Sequence, residues 1–413
     1  MKNTGRDIHS GLSETQAKFV NMPQAVCTGP SSGVIIDFCE RNETLEYIFR
    51  ILNPFAEITA SPPSWPEVLS SSQKEGLSFL LYKSATKKNI NIPFSIKQCL
   101  KQEYIYNWGR NIRIFEELAA LLRVFKNPVI VLKGASLLSS VYKDFGLRAL
   151  GDVDILVKPE DVSKIDKVLS QSGYQSDYTL SSCRVTNYLN SLVYGKNGSP
   201  LLLHLHWHLV NNALPNYMYA EKINMDKLWK EAIPLKVRQA DVLCLAPHHQ
   251  LLHLSEHAMK HSFYTLIHIW DIQQVINHWK KELDWEKLCR NAEEFQLRSP
   301  LFYSLWLGKE YFGASVPQKI LESLHPCCQG LGERAFHSLL RHGKRKEKFC
   351  WLFYLSNISG WQKRIKFILR TLLPPREILA HMEGIEHGKK SALYSKVALR
   401  RFQRFLWFFS KDR

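Results

Sequence analysis

Two carboxylates separated by one residue are the side chains that most clearly could do chemistry. Asp152 and Asp154 lie in the run Gly-Asp-Val-Asp-Ile-Leu-Val, whose alternation predicts a β-strand with both carboxylates on one face. Carboxylates held close together on a rigid strand favour a hard divalent cation, because such ions prefer oxygen ligands. The spacing therefore predicts a metal site on this strand.

A glycine turn precedes the carboxylates. Gly134 lies 18 residues before Asp152, between the β-branched run PVIVLKG and a short segment of helical periodicity. A glycine at such a turn lets the backbone approach a phosphate group. A metal ion opposite a phosphate-binding turn is what phosphoryl or nucleotidyl transfer requires, because that chemistry depends on positioning and charge neutralisation.

The order of apolar patterns along the chain predicts an α+β fold, with a small mixed-sheet core flanked by N-terminal and C-terminal helical segments. Strands are predicted near 128–134, 153–157, 185–194 and 201–209, and almost only helices after Pro234. We expect a poorly ordered Gly/Ser-rich lead-in, an N-terminal helical segment, the α+β core, and a C-terminal helical domain with a basic tail, at 1–40, 41–127, 128–235 and 236–413.

The combination of Lys133-Gly134, Arg148 and Gly-Asp-Val-Asp-Ile-Leu-Val resembles the nucleotidyltransferase superfamily related to DNA polymerase β. More narrowly, it is similar to the bacterial group of uncharacterised nucleotidyltransferases (the NTP_transf_5 type). Later pieces of that resemblance are Leu205-His206-Trp207, the histidine-rich run LLHLSEHAMKH and Ile269-Trp270-Asp271. The resemblance covers about residues 110–320.

The resemblance implies transfer of a nucleoside monophosphate from a nucleoside triphosphate to an acceptor, with Mg²⁺ or Mn²⁺. It implies that Asp152 and Asp154 hold the metal and that Gly134 and Ala135 face the triphosphate. Apart from the resemblance, we expect His206 to line the nucleotide cleft. Lys133 and Arg148 would neutralise the charge of the triphosphate. The acceptor, whether small molecule, sugar, peptide or RNA, stays open.

One position departs from the family pattern. An acidic residue is expected two positions before the histidine of Leu-His-Trp, and this chain has His204 there. Imidazole binds magnesium poorly, although it ligates transition metals and can act as a base. Two interpretations stay open: His204 does altered catalytic work, or the chain is a catalytically impaired nucleotide-binding protein.

The histidines also permit a zinc hydrolase. His204, His206 and His208 alternate along one predicted strand, and His253, His257 and His261 recur every four residues on a predicted helix face. The metalloprotease motif His-Glu-x-x-His is absent. The competing interpretation is that the strand histidines line the nucleotide cleft and the helix histidines bond locally.

The charge distribution and the cysteine content indicate possible partners and a cellular location. The net charge of +17 is concentrated in residues 341–413, which hold 18 Lys+Arg against 5 Asp+Glu. This basic tail, including the amphipathic segment 395–409, predicts contact with a polyanion or else a solvated helical face. The chain has nine cysteines without a Cys-x-x-Cys pair, no secretory h-region and no long apolar run. These features favour a cytoplasmic location without a transmembrane segment.

Overall fold

A seven-stranded mixed sheet, preceded and followed in the chain by helices, forms the centre of this computed structural model. This confirms the predicted α+β class with flanking helical segments. The structure describes residues 43–53, 56–58, 64–176, 189–210, 220–326, 331–341, 350–356, 358, 360–372 and 399. The predicted lead-in and all of the amphipathic segment 395–409 except Leu399 lie outside these residues.

The sheet combines parallel and antiparallel pairs. In chain order its strands are β1 (Ile130–Val131), β2 (Val153–Leu156), β3 (Gln175–Ser176), β4 (Ser191–Gly195), β5 (Leu203–His206), β6 (Ile233–Val237) and β7 (Ala240–Cys244). Their order across the sheet is β3-β4-β5-β2-β1-β7-β6. β2 runs parallel to β5 and β1 runs parallel to β7, whereas the other neighbours are antiparallel.

Among the described residues, four helices precede the sheet: α1 (Glu43–Leu52), α2 (Trp65–Lys74), α3 (Ser78–Lys87) and α4 (Phe94–Val124). Between α2 and α3 lies Gly76, whose φ of +71° is a left-handed conformation that glycine adopts without strain. Residues 65–87 of the predicted N-terminal helical segment therefore form two helices and not one. The long helix α4 begins after Pro93 and ends before Asn127-Pro128, because proline disfavours helical backbone in the residue before it.

Short helices connect the strands. They are α5 (Lys133–Leu137), a π-helical turn at Leu138–Tyr142, a 3₁₀ turn at Pro159–Asp161, α6 (Val162–Gln171) and α7 (Met225–Glu231). The helices after the sheet are α8 (Pro247–Lys260), α9 (Ile267–His278), α10 (Trp285–Glu294), α11 (Arg298–Phe312), α12 (Gln318–Leu324), α13 (Leu331–Arg341), α14 (Cys350–Ser356) and α15 (Trp361–Leu372). Among the described helices, none is both long enough and apolar enough to cross a lipid bilayer.

The central strands β2 and β5 divide their residues between two faces. Val153 and Ile155 of β2 and Leu205 of β5 belong to an apolar cluster that includes Phe115 and Leu118 of α4. Because side chains alternate along a strand, Asp154, His204 and His206 point to the opposite face. The apolar face thus fixes the strands and leaves the polar face for the candidate site.

The chain is not helical immediately after Pro234. Residues 233–244 form the hairpin β6–β7, in which β6 is an edge strand of the sheet and β7 pairs with β1. The turn of this hairpin uses Arg238 at a φ of +55° rather than a glycine or asparagine, so it carries none of the usual turn signals. We therefore propose that the α+β core ends after Cys244 and not at 235.

Candidate active site

Parallel pairing of two strands brings the polar residues of the site together. In the register of β2 against β5, Asp154 is opposite His204 and Leu156 is opposite His206. Asp152 lies just before β2, two residues from Asp154, and its side chain is 44% exposed. The side chain of Asp154 is only 5% exposed. The two predicted carboxylates are therefore neighbours in very different surroundings.

Asp154 is the centre of the cluster. Its Oδ1 accepts hydrogen bonds from Lys133 Nζ at 2.9 Å and His206 Nε2 at 2.8 Å, and lies 3.3 Å from His204 Nδ1. Burial raises the pKa of Asp154, but the charge of Lys133 and the hydrogen bonds of both imidazoles outweigh burial and hold the pKa well below its usual range. Asp154 is consequently an ionised, buried carboxylate.

The pKa values of the two imidazoles of β5 are shifted in opposite directions. Burial lowers the pKa of His204, but hydrogen bonds with Asp152 and Asp154 more than compensate and raise it. Burial and the neighbouring His204 lower the pKa of His206 to about 3. His204 Nδ1 lies 3.5 Å from Asp152 Oδ2, and its Nε2 lies 2.9 Å from Ser191 Oγ. His204 therefore faces both carboxylates, whereas His206 is a neutral partner of Asp154 alone.

The glycine turn lies directly beside the carboxylate strand. Lys133 has a φ of +46°, and Gly134 and Ala135 follow it in the first turn of α5. A Cβ at Gly134 would lie 2.8 Å from Leu150 Cδ2 and 3.7 Å from Arg148 Cζ. The segment that carries Arg148 thus comes so close that position 134 has no room for a side chain.

Arg148 is held by a buried partner from the helical part of the chain. Its Nε donates to Asp271 Oδ2 of α9 at 3.1 Å, and Tyr142 OH donates to Asp271 Oδ1 at 2.6 Å. The side chain of Asp271 is 1% exposed. Sequence analysis identified Ile269-Trp270-Asp271 as a motif but gave Asp271 no role, because a sequence separation of 123 residues shows no pairing.

Polar side chains of α4 hold the segment between the π turn and β2. Asn111 Nδ2 donates to the carbonyl oxygens of Phe145 at 2.6 Å and Arg148 at 2.8 Å, and Asn107 Nδ2 donates to that of Gly146 at 2.9 Å. Asn107 and Asn111 are both buried. Sequence analysis missed these residues, although two asparagines one helical turn apart in an otherwise apolar stripe are a usable signal.

The helix histidines pack against one another near this site. The rings of His257 in α8, of His261 directly after α8 and of His268 in α9 have centroids 4.7 to 5.7 Å apart. Burial and nearby cations, first among them Lys133 for His257, lower the pKa of each ring. Contact between α8 and α5 is direct, since Gln250 Nε2 donates to Ser136 Oγ at 3.3 Å. These imidazoles are neutral at pH 7.

The predicted three-histidine strand does not form. β5 ends at His206, and the Nδ1 of His208 accepts a hydrogen bond from the backbone N–H of Val210 at 3.0 Å. Alternation stops where the strand stops, so His208 does not share the face of the other two imidazoles. A zinc site made of His204, His206 and His208 is therefore wrong.

The donor set that does form fits a divalent ion. Ligand atoms of Asp154, His204 and His206 all lie within 4.8 Å of one another, and Asp152 adds a second carboxylate beside them. Carboxylate oxygens suit Mg²⁺, whereas imidazole nitrogens favour Mn²⁺ or Zn²⁺. The residues present thus fit a metal ion bound mainly by the carboxylates, with His204 shifting the preference away from Mg²⁺.

Comparison with known proteins places the chain in a family. The comparisons with curated proteins and with solved structures found no match. A family model described as an uncharacterised nucleotidyltransferase matches residues 61–313, which is more than half of the chain and includes the strands, the glycine turn and Asp271. The chain belongs to this family of uncharacterised nucleotidyltransferases.

Proposed function

We propose that the protein is a metal-dependent nucleotidyltransferase that moves a nucleoside monophosphate from a nucleoside triphosphate to an acceptor. Asp152 and Asp154 would hold Mg²⁺ or Mn²⁺ at the ends of β2 and β5. When bound, such an ion neutralises triphosphate oxygens and polarises the phosphorus that is attacked. The proposal places the activity in the cytoplasm.

The observation that carries the proposal is the convergence of charged groups beside a glycine turn. Lys133 contacts Asp154, and the guanidinium of Arg148 lies against Gly134. Two carboxylates for a metal and two cations for a triphosphate therefore occupy one end of β1 and β2. Such an arrangement suits a substrate that carries several negative charges together with a divalent ion.

The chain's own residues would divide the work as follows. Lys133 and Arg148 bind phosphate oxygens, and the backbone at Gly134 and Ala135 leaves room for them. His206 is buried and neutral, and it orients Asp154 by hydrogen bonding to Oδ1. His204 stands where the family pattern has a carboxylate, and we assign it the task of accepting the proton that the acceptor loses.

The reaction itself balances without further reactants. An acceptor oxygen or nitrogen attacks the α-phosphorus, the bond to the bridging oxygen of the β-phosphate breaks, and pyrophosphate leaves. The proton of the attacking group passes to His204 and then to solvent. Nothing is oxidised or reduced.

Label transfer tests the proposal. Purified protein would be incubated with each α-³²P nucleoside triphosphate, Mg²⁺ or Mn²⁺, and acceptor fractions of small molecules, sugars, peptides or RNA. We expect transfer of label with release of pyrophosphate, loss of both in Asp152→Asn, and retention of both in Asp241→Asn. Asp241 is a matched control because it is an 81% exposed carboxylate of the same sheet, in β7. Absence of triphosphate binding with either ion would overturn the proposal.

A nucleotide-binding protein without turnover is the second candidate. The imidazole of His204 in place of a carboxylate favours it, because the reaction would lack an oxygen ligand that the family pattern supplies. This candidate predicts saturable triphosphate binding with no pyrophosphate release. It further predicts that His204→Asp gains turnover.

The basic tail favours a polyanion as the acceptor or as a further partner. The excess of Lys and Arg in residues 341–413 supports a polyanion such as RNA as a partner, because phosphate neutralisation makes binding strong at low salt. Charge reversal at Arg400, Arg401 and Arg404 tests this contact. Loss of RNA retention with intact transfer to a small acceptor would assign the tail to recruitment.

A further inference from the structure

A second cluster of ligand-type side chains lies where α7, α8 and α10 meet. Glu231 is the last residue of α7, and His248 and His249 lie in the first turn of α8. One ligand atom from each of the three lies within 4.8 Å of the other two. The cluster shares no residue with Asp154 and its partners. We propose that it is a binding site for a zinc-class divalent ion, separate from the nucleotidyltransferase site.

The donor atoms are already near the spacing that such an ion requires. Glu231 Oε2 lies 2.7 Å from His248 Nε2 and 3.9 Å from His249 Nε2. Ligands about 2.1 Å from a tetrahedral Zn²⁺ are roughly 3.4 Å apart, a value between these two distances. Both imidazoles are buried, with residue exposures of 8% and 1%. His248 Nε2 donates to Glu231 in this arrangement, so metal binding requires small side-chain rotations together with movement of the His248 proton to Nδ1.

The tautomer of His249 is the one that ligation through Nε2 needs. Asn291 Nδ2 approaches His249 Nε2 at 3.3 Å, and Lys227 Nζ donates to Asn291 Oδ1 at 2.7 Å, which fixes the orientation of the amide. His249 Nε2 must accept this hydrogen bond, so its proton is on Nδ1. That Nδ1 is buried and has no hydrogen-bond partner among the described residues. Burial and His248 lower the pKa of His249 to about 3, which keeps the ring neutral.

The cluster already holds a positive charge. Lys287 Nζ of α10 lies 2.9 Å from Glu231 Oε2, and its side chain is 36% exposed. Although burial raises the pKa of Glu231, hydrogen bonds from Lys287 and His248 lower it to about 2. A metal ion at the three ligands would replace an ammonium group on a long, partly exposed side chain that can turn to solvent. Removing that ammonium should therefore strengthen metal binding.

This competition gives a test by gain of affinity. Full-length protein, stripped with chelator, would be titrated with Co²⁺ and Zn²⁺, following the visible absorption of tetrahedral Co²⁺ and its loss on Zn²⁺ addition. We expect Lys287→Met to bind at least tenfold more tightly than the unmodified protein, and His249→Gln to bind at least tenfold more weakly. Lys280→Met and His278→Gln are matched controls at exposed positions and should change neither value.

Thermal unfolding supplies a readout that does not depend on activity. A ligand bound to the native state alone raises the midpoint as its concentration increases. We expect Zn²⁺ to raise the midpoint of Lys287→Met more than that of the unmodified protein. His204→Asn, which changes the nucleotidyltransferase cluster, should leave this difference intact. Equal Zn²⁺ affinity in Lys287→Met and the unmodified protein would overturn the proposal, and this variant keeps the test valid if His249→Gln does not fold.

Discussion

Lys133 Nζ lies 2.9 Å from Asp154 Oδ1, and this ion pair joins the turn after β1 to the carboxylate strand β2. The side chains of Lys133 and Asp154 are 17% and 5% exposed. Asp152, two residues away, is 44% exposed. Asp152 and Asp154 belong to one sequence motif, but only Asp154 forms the ion pair that links β2 to the turn after β1.

Asparagine substitutions should separate these roles. We expect Asp152→Asn and Asp154→Asn each to reduce turnover by at least about 10²-fold, the scale of losing one electrostatic contact to the transition state. Asp154→Asn should also lower the free energy of unfolding by about 1–3 kcal/mol, because it removes the ion-pair partner of the partly buried Lys133. Denaturant unfolding measures this difference. Equal stability of the two variants would contradict the assigned role of the ion pair.

Replacement of His204 should change the metal preference. In His204→Asp an oxygen ligand takes the position opposite Asp154, and carboxylate suits Mg²⁺ better than imidazole does. We expect Mg²⁺-supported transfer to rise about tenfold relative to Mn²⁺-supported transfer, equivalent to about 1.4 kcal/mol. His278→Asp, at an exposed position of α9, is the control. An unchanged ratio would show that position 204 does not approach the metal.

Asp271 should act as a positioning residue for Arg148. Asp271→Asn removes the counter-charge of the guanidinium, so we expect the KM for the nucleoside triphosphate to rise about 10- to 100-fold, as for outer partners of ligand groups. Because Tyr142 bonds to the other oxygen of Asp271, Tyr142→Phe should have a smaller effect. Steady-state kinetics would check both variants. A loss of stability in Asp271→Asn with a normal KM would indicate a purely structural role.

A matched pair of glycine substitutions tests the close approach at the turn. In Gly134→Ala the new Cβ would displace the buried Leu150, at a cost of about 1 kcal/mol, and would crowd Arg148. We expect weaker triphosphate binding in this variant. Gly109 lies within α4, and a Cβ added there would meet no neighbouring side chain of the described residues within 4 Å. Gly109→Ala should therefore stabilise the protein by about 0.5–1 kcal/mol and leave binding unchanged.

The histidines packed around α8 should make the protein less stable in mild acid. Burial, assisted by cations such as Lys133, Lys260 and Arg148, lowers the pKa of a set of rings: His253, His257, His261 and His268. Below pH 6.5 the unfolded chain binds protons that the folded chain does not, so stability falls as the pH falls. For His261, with a pKa of about 4, this loss continues down to that pH.

Each of these histidines contributes a slope of about 1.4 kcal/mol per pH unit within its window. Urea unfolding at pH values between about 7.5 and 4.5 would measure the summed slope. His257→Asn should reduce the slope of the free energy of unfolding against pH by the contribution of one imidazole. A free energy of unfolding that stays constant from pH 7 to 5 would contradict the neutral state of the cluster.

Local sequence pattern predicted the parts of the fold and site that depend on neighbours in the chain. The strand predicted near 153–157, the predicted N-terminal helical segment and the turn at Gly134 follow from periodicity and from glycine and proline positions. The hairpin β6–β7 was not predicted because its turn residue, Arg238, adopts a left-handed conformation that an arginine side chain does not indicate. Ion pairs such as that of Arg148 with Asp271 were not predicted because only tertiary packing brings residues so distant in the chain together.

The register of β2 against β5 has an evolutionary consequence. It places position 204 opposite Asp154, so the identity of one residue decides whether an imidazole or a carboxylate faces the ionised oxygens. The codons for histidine and aspartate differ only in their first base. On the proposal of a metal site at these residues, one point mutation would separate a preference for one divalent ion from a preference for another, and the strand itself would not have to be rebuilt.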